Sequence, residues 1–162
     1  MITDIEIEGF KSLEKVHLKL GKLNLFIGTN ASGKSNFFDA LRVLQGIGYG
    51  LTVNEIFNGK PKSAGSEVWD GIRGGSSRAR FFGRSTQEAS GEVITFKVSL
   101  RPPGFAQELT YSIAISSDYG LVKSESLEMD SRLVYKREGS TIRTPVHESD
   151  VDDLVDPDTP AL

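Results

Sequence analysis

Apolar and polar residues alternate with a period of two over much of this chain. Ile5 and Ile7 alternate with Glu6 and Glu8, and Val16, Leu18 and Leu20 alternate with His17 and Lys19. That is the pattern of two half-buried strands, with Gly9-Phe10-Lys11-Ser12 between them. Further on, Ile94, Phe96, Val98 and Leu100 alternate with Thr95, Lys97 and Ser99, which predicts a strand over 92–100 that Arg101-Pro102-Pro103-Gly104 ends. Leu109, Tyr111, Ile113 and Ile115 repeat the pattern. Weaker strands are expected over 121–129 and 133–137, with Glu138-Gly139-Ser140 turning the last one back. The second half therefore reads as an antiparallel meander with short connections and one apolar face.

One region breaks the alternation. After a turn at Gly21-Lys22, Leu23-Asn24-Leu25-Phe26-Ile27 is short, branched and aromatic, the composition of a buried strand. A helix is predicted over 34–45, where Phe37, Leu41 and Leu44 fall at i, i+4 and i+7 while Asp39, Arg42 and Gln45 stay more exposed. Gly46 is expected to end it, and Gly46-Ile47-Gly48-Tyr49-Gly50 reads as a flexible exit, since no buried strand precedes it as a second nucleotide loop would require.

Between that strand and that helix stands Gly28-Thr29-Asn30-Ala31-Ser32-Gly33-Lys34-Ser35, a full G-x-x-x-x-G-K-[ST] phosphate-binding loop, or Walker A motif. Glycine at 28 and 33 lets consecutive backbone N–H groups turn inward around a polyphosphate. The helix start adds unsatisfied amides and the positive end of its dipole. Lys34 is placed to reach the β- and γ-phosphates of ATP, and the Ser35 hydroxyl to join the coordination of Mg²⁺.

Periodicity fades from 54 to 90, although 67–73 is expected as a short helix or turn. Lys60, Lys62, Arg73, Arg78, Arg80 and Arg84 stand there against only Glu67 and Asp70, with Trp69, Phe81 and Phe82 interspersed. Such a segment is either an ordinary solvated loop or a basic surface for the backbone of nucleic acid.

At 162 residues and 38% hydrophobic content the chain suits one domain with a real core. It contains no cysteine, which excludes disulfides and thiolate metal sites, and its two histidines lie far apart. No apolar run approaches membrane-spanning length and the N-terminus lacks a signal-peptide pattern, so a cytoplasmic protein without membrane contact is expected. The net charge of −3 conceals a polarity: from His147 onward six acids stand with no Lys or Arg, and the rest carries 16 acids against 19 basic residues. Residues 147–162 thus read as an acidic connector, and 1–146 as one nucleotide-binding lobe interrupted by a flexible, basic insertion over 46–90.

A nucleotide hydrolase also needs an apolar strand ending in Asp, commonly followed by Glu, to hold Mg²⁺ and polarise water. No such strand is recognisable. Leu154-Val155-Asp156 is too short, and Asp118 falls beyond the end of its strand.

Ile7-Glu8-Gly9-Phe10-Lys11-Ser12-Leu13, the run from Leu23 through the loop to Asn36, and Asp39-Ala40-Leu41 together resemble the start of SMC/RecF/OLD-type ATPases, ABC-like heads used in chromosome maintenance, DNA repair and phage defence. A second match runs from Ile72-Arg73-Gly74 through Phe81-Phe82-Gly83 to the strand beginning near Glu92. The resemblance implies an α/β fold with α+β character, namely the N-terminal lobe of a P-loop NTPase whose strand, loop and helix pack with a largely antiparallel meander. It implies that Gly28, Thr29, Asn30, Ala31, Ser32, Gly33, Lys34, Ser35 and Asn36 bind ATP, that Lys11 approaches phosphates or base, and that Arg73 is a conditional contact. It further implies a C-terminal lobe carrying the hydrolytic residues, an ATP-dependent homodimer, and DNA as a partner through 60–84. Alone, the chain is expected to bind ATP weakly and hydrolyse it negligibly.

Two other readings stay open. A small P-loop nucleotide kinase would suit the length, although such enzymes usually open on the phosphate-loop strand. A non-enzymatic interaction module would keep the loop for stability. A GTPase is disfavoured because no Asn-Lys-x-Asp motif exists.

Overall fold

A computed structural model describes residues 1–61, 69–81, 93–116 and 120–144. Seven strands, β1 (Ile2–Phe10), β2 (Leu13–Lys19), β3 (Val93–Leu100), β4 (Leu109–Ser116), β5 (Val122–Met129), β6 (Arg132–Glu138) and β7 (Thr141–Arg143), form one sheet. Its order is β2-β1-β3-β4-β5-β6-β7, and every pair is antiparallel. Two helices, α1 (Lys34–Gly48) and α2 (Val53–Asn58), accompany it. The fold is α+β, with the meander expected from the alternation. The acidic connector at 147–162 lies outside the described residues.

Registry explains why one face is apolar. Ile5 pairs with Val98 and Ile7 with Phe96, and on the next seam Phe96 pairs with Ile113 and Ile94 with Ile115. Period two then stacks these residues on one face of the sheet. Phe37, Ala40, Val43 and Ile47 of α1 and Val53, Ile56 and Phe57 of α2 are buried in the same core.

Four local expectations change. First, residues 23–27 form no strand. Phe26 packs on Phe37 with ring centroids 4.9 Å apart, but Leu23, Leu25 and Ile27 are 92%, 82% and 85% exposed. A strand requires a neighbour on which to spend its backbone hydrogen bonds, and the described sheet has β2, not this run, at its edge.

Second, α1 runs through Gly46 to Gly48. Gly46 serves close packing: a Cβ there would sit 2.7 Å from Ile56 Cγ1, so glycine lets α2 approach. Third, α2 lies inside the stretch read as irregular. Its Thr52 hydroxyl accepts from the Glu55 N–H at 3.2 Å, while the Glu55 carboxylate accepts from the Thr52 N–H at 2.9 Å, a reciprocal cap.

Fourth, Trp69 is core. Its indole N–H donates to the Ile56 carbonyl at 3.0 Å, Arg42 lies 4.6 Å above its ring, and only 8% of it is exposed. It forms an isolated bridge with Lys60, whose ammonium is 3.1 Å from Glu55. Trp69 therefore offers no stacking face to a base, and Lys60 is already paired. Lys62, Phe82 and Arg84 lie outside the described residues.

The candidate phosphate-binding loop and its flank

The loop leaves the exposed run at 23–27 and enters α1 through two residues in the left-handed region, Ala31 at φ 67° and Gly33 at φ 91°. Between them the chain closes a turn in which Ser32 N–H donates to the Thr29 carbonyl at 3.3 Å. Phe37 N–H donates to the Gly33 carbonyl at 2.9 Å, the first bond of the helix. No side chain caps the α1 N-terminus, so the first-turn amides stand available to an anion.

Lys34 folds back over this cradle. Its ammonium donates to the Gly28 carbonyl at 2.6 Å, the Thr29 carbonyl at 2.7 Å and Ser32 Oγ at 3.1 Å. Glycine at 28 leaves room for the Ser32 and Lys34 side chains: a Cβ there would fall 2.6 Å from Ser32 Oγ and 3.5 Å from Lys34 Nζ. Thr29, Asn30, Ala31 and Ser35 are exposed around its rim. An uncapped helix start and a lysine ammonium meeting at this loop suit a polyphosphate, and the exposed Ser35 hydroxyl suits the Mg²⁺ that accompanies one.

The flank is built by the β1–β2 turn and the segment after Gly71. Phe81 N–H donates to the Gly9 carbonyl at 2.9 Å and Lys11 N–H to the Ala79 carbonyl at 2.8 Å, stapling that segment to the turn. Ser12 Oγ accepts from Asn36 Nδ2 at 2.7 Å, and Ser12 also lies against Gly33 of the loop. A cavity of about 590 Å³ opens here, lined by Lys11, Ser12, Asn36, Arg73, Arg78 and Phe81 among others. Lys11 and Arg73, singled out above, thus come together beside the first turn of α1.

What gathers them is Asp39, a residue expected to be exposed. It is only 7% exposed. Its carboxylate accepts from Arg73 Nε at 3.2 Å and Arg73 Nη2 at 2.8 Å, and it also takes a hydrogen bond from Lys11 Nζ. The Lys11 ammonium donates as well to the Arg73 carbonyl at 2.7 Å. Burial pushes the Asp39 carboxyl up, but the hydrogen bonds and charges of Arg73 and Lys11 outweigh it and hold the group below the usual carboxylate range.

With the loop and its flank in view, one comparison bears directly on them. Residues 1–60 match the AAA ATPase domain family. The matched segment contains β1, β2, the loop and both helices, and ends before the Arg73 flank and strands β3 to β7. It supports an ATP-binding, ATPase-type P-loop segment. No curated protein matches the chain. Among the described residues no helix is long and apolar enough to cross a membrane.

Proposed function

We propose that this chain is the ATP-binding N-terminal lobe of an SMC/RecF/OLD-like ATPase, working in the cytoplasm with Mg²⁺. The observation that carries the reading is the cradle itself: Lys34 held over the carbonyls of Gly28 and Thr29 at the uncapped start of α1. In this reading Gly28, Thr29, Asn30, Ala31, Ser32 and Gly33 enclose the phosphates, Lys34 neutralises the terminal ones, and Ser35 joins the metal. Asn36 braces the loop through Ser12. Mg²⁺ supplies charge neutralisation at the phosphates.

The exposed Leu23, Leu25 and Ile27 support the second half of the proposal, a C-terminal lobe whose strand would lie beside 23–27 and cover them. That lobe would bring the carboxylates missing here, and the intact protein would dimerise around ATP. Among the described residues of 60–84, the exposed Arg78 suits DNA contact by this lobe better than the buried Trp69. Among the described residues, an all-antiparallel sheet with two α-helices disfavours a nucleotide kinase, in which parallel strands alternate with helices.

Amide hydrogen exchange tests the cradle. Mg-ATP is expected to slow exchange at residues 28–36 by at least about tenfold while β4 to β6 stay unchanged, as binding to the folded state requires. Unchanged exchange at 28–36 under saturating Mg-ATP would overturn the reading.

A further inference from the structure

The cations beside the loop come as a built set around one carboxylate. Asp39 stands five residues after Lys34, on the second turn of the helix that carries the cradle, and its two oxygens are both engaged by Arg73 in a fork that also includes Lys11. Lys11 reaches it from 28 residues away and Arg73 from 34. The Lys11 side chain is buried, whereas most of the Arg73 side chain remains accessible along the cavity wall. A paired carboxylate can hold an arginine at a fixed bearing because the fork geometry is directional.

We infer that Asp39 is the positioning residue of this cavity: it fixes Lys11 and Arg73 so that an anionic nucleotide seated on the loop meets two preset cations where it leaves the cradle. The inference rests on the ATP-binding reading above and deepens it. Two physical effects of Asp39 oppose each other, which makes the assignment testable. As a negative charge near a polyphosphate it repels the ligand, so its neutralisation should tighten binding if charge alone matters. As the anchor of the fork it keeps Arg73 and Lys11 in place, so its neutralisation should weaken binding if position matters. Without the carboxylate the two cations would face each other uncompensated, and the Arg73 side chain would lose its bearing while the backbone bonds to the turn remain. Position wins in this arrangement, because the repulsion acts through screened solvent while the fork is a direct, two-point contact on a carboxylate that is itself buried.

The test uses the 162-residue chain titrated with Mg-ATP by calorimetry. Asp39→Asn, close to isosteric, is expected to raise Kd about tenfold, the scale of a lost charge-assisted contact. Arg73→Gln, which leaves the Asp39–Lys11 pair in place, should produce a similar loss, and the double variant should lose no more than the larger single effect. Asp39→Glu should recover part of the affinity, which a generic packing defect would not show. Should Asp39→Asn fail to fold, the Arg73→Gln and Asp39→Glu arms decide alone. Asp39→Asn binding as tightly as wild type, or tighter, while Lys34→Ala loses binding, overturns the inference and leaves the cradle intact. Equal binding by wild type and Lys34→Ala overturns both.

Discussion

Lys34→Ala is expected to weaken Mg-ATP binding about 100-fold or more, the scale on which preorganised charge at a phosphate acts. Two losses combine in that figure. The substitution removes the one full positive charge in the cradle, and it removes the three hydrogen bonds that draw the Gly28 and Thr29 carbonyls and Ser32 Oγ around a single point. Lys34→Met sets both losses apart from any contribution of the aliphatic stem, since it keeps the stem and discards only the ammonium. If Met and Ala lose affinity alike, the ammonium is the cause; if Met retains most of it, the stem and not the charge shapes the loop. Thermal melting should hardly change in either variant, because the cradle is exposed and lies apart from the sheet.

The largest stability effect is expected far from the loop. Arg137 on β6 is fully buried, donating from Nε to the Gly139 carbonyl at 2.8 Å, with Nη1 3.7 Å from the carboxylate of Glu125 on β5. Glu125 is itself 1% exposed and accepts from the hydroxyls of Tyr111 at 2.7 Å and Tyr135 at 3.0 Å. Burial, with the charge of Glu125 added, raises both tyrosines well above their ordinary range, so they remain donors at every physiological pH. Arg137→Ala takes the guanidinium away from that buried carboxylate on the core face of the sheet and should cost about 3–5 kcal/mol in urea unfolding. Adding Glu125→Gln should restore a substantial part by removing the charge that the guanidinium faced. An Arg137→Ala variant as stable as wild type would show that the pair carries no net weight.

Strands were legible wherever alternation and burial agreed. Ile5, Ile7, Ile94, Phe96, Val98, Tyr111, Ile113 and Ile115 all face the core as their spacing predicts. The weaker signal of β5 and β6 has a physical cause: Glu125 and Arg137 occupy inward positions directly opposite each other, so the pattern lacks apolar residues where it should have them. The first turn of α2 was missed when 46–90 was read as irregular, although Thr52 followed three residues later by Glu55 before Ile56-Phe57 is a capping pattern.

Other features depend on partners that local pattern does not specify. The run at 23–27 has the composition of a strand, yet pairing is a property of two segments, and the described sheet supplies none beside it. Asp39 sits on what helical periodicity marks as an outer face, and its burial comes from Lys11 and Arg73 arriving from distant positions. Trp69 looked like a recognition aromatic because it lies in a segment with a basic excess, while its neighbours in space are Ile56, Arg42 and Tyr49. For the candidate site, the motif located the cradle and the resemblance located two of its flanking cations. The carboxylate that joins those cations emerged only from the fold.

The central proposal is that this chain holds the phosphates of ATP while the groups that break the terminal bond come from the other lobe. Single-turnover phosphate release from Mg-ATP bound to excess chain tests it most directly, with bound and released phosphate followed in the same sample. The expected result is Lys34-dependent retention of ATP, with release close to the uncatalysed rate. Sustained phosphate release by the 162-residue chain, abolished by Lys34→Ala, would contradict the claim, because a complete hydrolytic site would then reside within these residues.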